Sequence, residues 1–168
     1  MDSSFFSPVG IYTAAANGPL GSMARVGRQR WCYVKFLDAV TYTTGMVCTP
    51  ASAAGLFYVT NDYAGGTSAA LRFAGAIPNV DAMGGTITAV PAQNDYGWVL
   101  LDGYHSNIRT DGGNDISAWD TLVMDGTTDG TVDSVAKATV TGDLSACGFA
   151  AADDGTSVVT AWLKCLIW

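Results

Sequence analysis

The sequence predicts an all-β domain, a sandwich or a barrel, with an extended N-terminal arm. Three observations predict it. All fifteen acidic residues are Asp and none is Glu; the short Asp side chain bonds nearby backbone amides in turns, whereas Glu suits helices. Twenty glycines point the same way. Short β-favouring runs also recur about every 8–12 residues between Asp-Gly and Gly-rich turns, the spacing of a sandwich or barrel, and no strand–helix alternation interrupts them.

In chain order, residues 1–27 form the arm: Gly, Pro, Ser and Ala with scattered Phe5, Phe6, Ile11 and Tyr12, holding no period for long. Apolar residues in such a segment imply that it lies on its own body or on a neighbour. Residues 28–168 form the body. Its first strand is 30–37, where Trp31, Tyr33, Lys35 and Leu37 alternate with Cys32, Val34 and Phe36, so both faces need cover. A second strand is expected at 40–47, interrupted at Gly45, then a loop at 50–55, a short strand at 56–60 and a turn-rich loop at 61–67. Residues 69–77 read as a strand, because Gly75 and Pro78 oppose a long helix; 79–92 read as loop or weak strand around 86–90. Trp98 to Leu101, closed by the hairpin dipeptide Asp102-Gly103, predicts a central hairpin over 96–108. Further strands are expected at 122–124, 131–135 and 137–141, with Cys147-Gly148-Phe149-Ala150-Ala151-Ala152 following before the Asp153-Asp154-Gly155 turn. The last, 157–168, ends in Ile167-Trp168, whose burial would contribute on the order of 2 kcal/mol each, so it is expected to pair in the sheet or at a subunit contact.

Charged residues make up only 14% of the chain, against an apolar share of 49% and a mean hydropathy of +0.23. A typical globular chain is about 25% charged. No run of about 18 apolar residues is present, so a membrane-spanning helix is not expected. A surface covered by partners accounts for the composition better. Residues 1–35 hold four basic side chains against one Asp, net +3; residues 36–168 hold four against fourteen, net −10. An acidic body repels nucleic acid, which needs clustered Lys and Arg. The basic segment, with Arg25, Arg28 and Arg30, is either simply solvated or docks on an acidic protein surface. Cys32, Cys48, Cys147 and Cys165 lack close metal-ligand spacing. Cys32 and Cys165 read as buried free thiols. With no signal peptide visible at Met1-Asp2-Ser3-Ser4, folding in a reducing cytoplasm is expected.

Candidate chemistry is sparse. Asp102, His105 and Ser106 spell a triad in sequence, but neighbours on a strand point to opposite faces, and there is no GxSxG elbow. His105, the sole histidine, is expected to be a polar residue on an exposed hairpin. Asp111-Gly112-Gly113-Asn114-Asp115 offers oxygen ligands without EF-hand or nonapeptide spacing, and turn chemistry accounts for it. Gly84-Gly85 lacks a nucleotide-binding pattern. No metal, cofactor or catalytic residue is expected. The aromatic residues Tyr96, Trp98, Tyr104, Trp119, Trp162 and Trp168 suit either a protein interface or a carbohydrate platform, and interface aromatics are the commoner case.

One resemblance emerges from these residues. Val26-Gly27-Arg28-Gln29-Arg30-Trp31-Cys32-Tyr33-Val34, Gly97-Trp98-Val99-Leu100-Leu101-Asp102-Gly103, Ile116-Ser117-Ala118-Trp119-Asp120-Thr121-Leu122-Val123, Asp129-Gly130-Thr131-Val132 and Gly148-Phe149-Ala150-Ala151-Ala152 follow one another in an order similar to the β-rich head decoration, or cement, proteins of tailed bacteriophages. The likeness covers roughly residues 28–165 and departs at Trp119, where the I-x-x-G-D-x-L pattern has Gly. It implies a β-barrel or β-tulip-like body, no cofactor and no enzymatic activity. It also implies a homo-oligomer, a trimer by preference, clamping major capsid subunits from outside the head after synthesis in the host cytoplasm. The contact residues expected on that basis are Phe5, Phe6, Tyr12, Arg25, Arg28, Arg30, Trp31, Trp162, Ile167 and Trp168. A carbohydrate-binding β-sandwich module of a virion is the alternative.

Overall fold

A computed structural model describes residues 12–37, 41–51, 55, 57–62, 74–79, 86–113, 116–125, 128–135 and 146–164. The expectations for Phe5, Phe6, Cys165, Ile167 and Trp168, and for a strand at 137–141, lie outside these residues. Among the described residues every regular element is a strand: β1 (Met23–Val26), β2 (Gln29–Phe36), β3 (Val47–Pro50), β4 (Tyr58–Thr60), β5 (Gly75–Ala76), β6 (Tyr96–Arg109), β7 (Thr121–Met124), β8 (Val132–Ser134), β9 (Ala146–Ala150) and β10 (Val158–Lys164). The all-β expectation is met.

The ten strands form one mixed sheet. Strand β2 pairs with β4 in parallel, β4 with β3, β3 with β5, β5 with β6, and β6 back with β2, so these five close a ring. From β6 the sheet continues through β10, β9 and β7 to β8, while β1 adds to the start of β2. The core fills this frame with Cys32, Val34 and Phe36 of β2, Val47, Val59 and Ile77, and Val99, Leu101 and Ile108 of β6; Leu122, Ala161 and Leu163 extend it under the outer strands. Both faces of β2 are covered, as its run of large residues requires: Trp31 and Tyr33 are as buried as Cys32 and Val34. Side chains such as these each contribute roughly 1.5–3 kcal/mol on burial.

The central hairpin is a correction. Asp102-Gly103 does not turn the chain; Tyr96 to Arg109 is one strand of 14 residues. Local turn preference loses here because both edges of the strand are taken. Asp102 pairs with Arg30 of β2 on one side and Lys164 of β10 on the other. Gly103 contributes a bend (φ 125°), and a Cβ there would lie 3.3 Å from the Gln29 Cα. A register shift between Arg30 and Trp31 leaves one extra β6 residue there, and a second shift between Val159 and Ala161 leaves two β6 residues opposite one of β10. Such bulges bend a strand and re-aim its side chains, which is how one strand serves both the ring and the outer sheet.

Other boundaries move as well. Within the described part of 40–47, Thr43 to Met46 is a turn closed by the Met46 N–H on the Thr43 carbonyl (3.3 Å), and the strand is Val47–Pro50. Of 69–77 only Gly75–Ala76 is a described strand, and residues 87–95 form none. The segment 12–26 is not loose. Thr13 and Tyr96 exchange two backbone hydrogen bonds, Gly21 and Ser22 bond to Tyr33, and Met23–Val26 pairs with β2. The boundary expected at 27/28 falls in the turn of that β1–β2 hairpin.

Candidate functional site

The Asp-rich turns come first, because they decide whether carboxylates are free for chemistry. Asp95, Asp111, Asp120, Asp125, Asp133, Asp153 and Asp154 each accept a backbone N–H within 3.2 Å. The short side chains of Asp95, Asp111, Asp120 and Asp125 reach their own turns in this way. Asp133 bonds the next residue of β8, and Asp153 and Asp154 tie their loop to Ala118 and Ile116. Asp111 bonds Gly113; Asn114 and Asp115 of that loop are outside the described residues. Among the described residues no three metal-ligating side chains cluster, and no helix is long and apolar enough to cross a membrane.

His105 also departs from expectation: it is fully buried, not exposed. Its Nδ1 accepts the Asn107 N–H (3.2 Å). A nitrogen that accepts carries no proton, so Nε2 bears it and donates to the Ile77 carbonyl at 3.1 Å. Burial pushes the imidazole from its ordinary 6.5 down to about 4, although the Ile77 bond opposes this. A neutral histidine that ties β6 to residue 77 and holds the second bulge is a structural cross-link.

The expected contact residues separate into two groups. Trp31 is inside the core, and Trp98 of the possible sugar platform is buried as well. Tyr12 packs edge-on against Phe36 (5.5 Å between centroids) and fits only because residue 97 is Gly, where a Cβ would lie 2.2 Å from its ring. Burial, with Cys48 nearby, pushes its phenol well above the usual range. Tyr96 stacks on Tyr33 at 6.4 Å, and Lys35 lies 5.3 Å from its ring. None of these is a free contact surface. Arg25, Arg28 and Trp162 are exposed.

Pairing gathers the exposed residues on one face of the sheet. Side chains of directly paired residues lie on the same side of a sheet, and strands are about 4.8 Å apart. One transverse row is Tyr104 of β6, Trp162 of β10 and Phe149 of β9, joined through the pairs Trp162–Tyr104 and Trp162–Phe149. These three are 42%, 43% and 47% exposed, and the Tyr104 and Trp162 rings meet edge-on at 5.3 Å. Inward neighbours Ala161 and Leu163 are buried, so the strand alternates as a half-covered sheet should. Two residues along, about 7 Å away by strand geometry, a charged row crosses four strands: Arg25 of β1, Arg30 of β2, Asp102 of β6 and Lys164 of β10. The Arg30 Nε lies 2.7 Å from an Asp102 oxygen. That half-exposed pair contributes at most about 1 kcal/mol, but it fixes the guanidinium in the row.

Trp119 adjoins this face in the turn before β7, whose Thr121 pairs with Phe149. It is 78% exposed and holds φ 76°, the left-handed region that glycine favours. Its N–H bonds the Ala150 carbonyl at 2.9 Å, and Asp120 takes the Ser117 N–H, which lock the turn.

No family model, curated protein or solved structure matches this chain. The face described above therefore rests on its own geometry. Sequence reasoning named Trp162, Arg25 and Arg30 but missed Phe149 and Lys164 as their partners. Only register reveals those, because a cross-strand neighbour carries no signature in the linear sequence.

Proposed function

We propose that the chain is a capsid decoration protein that binds the outside of an assembled phage head, as a homo-oligomer and by preference a trimer, and strengthens contacts between major capsid subunits. The aromatic row Tyr104–Trp162–Phe149 beside the charged row Arg25–Arg30–Asp102–Lys164 carries this reading. It pairs apolar area with a local excess of positive charge, on a chain whose net charge is −7. Such a face suits an acidic protein surface with apolar ground between its carboxylates. Aromatic and Arg side chains are the residues that anchor interfaces. Supporting it, Trp119 keeps a costly backbone conformation at the position where the cement-protein pattern has Gly, while exposing nearly all of its indole. Strain of this kind, about 1–2 kcal/mol, is retained where a side chain is needed for contact.

The mechanism is linkage. A ligand that binds the expanded shell and not its precursor stabilises the expanded form by RT ln(1 + [L]/Kd) per site, and symmetric copies add avidity. Each half-exposed aromatic covered on docking contributes about 2 kcal/mol, so one truncation costs roughly thirtyfold in affinity. The test is occupancy on expanded and unexpanded heads by sedimentation, with Trp162→Ala and Lys164→Glu beside the parent protein. Selective binding to expanded heads, weakened at least tenfold by each substitution and by added salt, is expected. Equal occupancy of Trp162→Ala, or no binding by the parent, refutes the proposal.

A further inference from the structure

Further along β6, three tied segments border a cleft of about 520 Å³. The turn at 43–46 supplies Thr43 and Thr44, residues 86–88 supply Thr88, and the second bulge of β6 supplies Ser106 and Asn107. Backbone hydrogen bonds fix the segments to one another: Gly45 N–H to the Ile77 carbonyl (2.8 Å), Arg109 N–H to the Gly45 carbonyl (3.0 Å) and Ile87 N–H to the Asn79 carbonyl (2.8 Å). The bulge matters most. His105 and Ile108 point into the core, so Ser106 and Asn107 between them are both left off it.

Asn79 forms part of the wall. It is only 9% exposed, and its Nδ2 donates to Ser106 Oγ at 2.8 Å. Two oxygens beneath the wall, Asn79 Oδ1 and Thr43 Oγ1, are buried and have no hydrogen-bond partner among the described residues. Seven of the nine described lining residues carry a hydroxyl or a carboxamide, and none of the nine carries a charge.

We propose that this cleft binds a neutral saccharide. Its volume falls within the range of small-molecule sites, roughly 300–1,000 Å³. Hydroxyl and amide groups offer donors and acceptors together, which is what a ring of sugar hydroxyls requires. Among the described lining residues a phosphate or a uronic acid would find no cation, and an apolar ligand would find only Ile87 and Val90. None of the described lining residues belongs to the aromatic or the charged row, so the saccharide site does not rest on capsid binding.

The experiment is saturation-transfer NMR on the intact chain with glucose, galactose, mannose, N-acetylglucosamine, lactose and cellobiose, alongside a Ser/Thr-rich peptide. At least one sugar is expected to receive saturation. Asn107→Ala, which removes an exposed amide, is expected to weaken that sugar at least fivefold. Thr88→Tyr, which fills the cleft, is expected to abolish binding, and Trp162→Ala to leave it within twofold. Unchanged melting temperatures of the variants keep folding apart from binding. No transfer to any sugar, transfer to the peptide alone, or sugar binding lost in Trp162→Ala yet intact in Asn107→Ala overturns the assignment.

Discussion

Replacing His105 with Gln tests whether the imidazole is a structural cross-link. In the folded chain its Nδ1 is occupied by the Asn107 N–H, so protonation must break that bond and charge a buried ring. The unfolded chain protonates at its ordinary pKa, about 6.5, and the folded one only near 4. Between those values the unfolded state binds the extra proton, so stability from this group is full above about pH 6.5 and falls as pH drops towards 4. The separation of the two values amounts to about 3 kcal/mol lost from pH 7 to pH 4. Subtracting the variant's curve from the parent's removes the contribution of every other group. Urea midpoints of parent and His105→Gln at half-unit steps from pH 7.5 to 4 are the assay. The variant is expected to be weaker at pH 7 by about 1–3 kcal/mol, from the disrupted hydrogen bonds, with that gap closing by about 3 kcal/mol at pH 4. Parallel curves would refute the cross-link, as would an imidazole NMR titration centred near 6.5.

Trp119→Gly is expected to raise stability by about 0.5–1 kcal/mol in chemical denaturation, because relief of the left-handed φ outweighs the extra freedom of Gly when unfolded, while weakening head binding. Gly45→Ala is expected to cost more than about 4 kcal/mol and to yield insoluble protein. At φ 82° its Cβ would lie 1.8 Å from the Asn107 carbonyl oxygen, which is backbone and cannot rotate away. Deleting residues 12–22 is expected to lower the melting temperature by several degrees, because Tyr12, Thr13, Asn17, Gly21 and Ser22 bond or pack on β2 and β6.

The fold class was legible because composition and turn chemistry act locally. An Asp that bonds an N–H two or three residues away leaves its mark within a short window, and those residues set the loops. The two-sided burial of β2 was legible for the same reason, since alternating large residues on one strand require cover on both sides. The Asp102-Gly103 hairpin failed because two distant strands compete with a turn: β2 and β10 hold the backbone on either side of Asp102, and that pairing outweighs the dipeptide's preference. Strand β1 was missed because Met23–Val26 is four residues without alternation, and its partner β2 supplies the order. The candidate face was half legible. Trp162 stood out as a large residue in a strand, whereas Phe149 and Lys164 acquire meaning only through register with β10 and β6.

Strand β6 also sets the order of events during synthesis. Residue 33 lies beside residue 98, and residue 104 beside residue 162, so the ring closes only after some sixty residues have followed β2, and the outer sheet waits as long again. Chains dominated by such distant pairings fold slowly, with strand edges open in the meantime. The aromatic row needs β10 in place, and β10 follows the other nine described strands in the chain. A chain that stops short of β10 therefore lacks the assembled aromatic row. Under the proposed function, adhesion then belongs only to molecules in which β10 has paired, a form of quality control that needs no separate device.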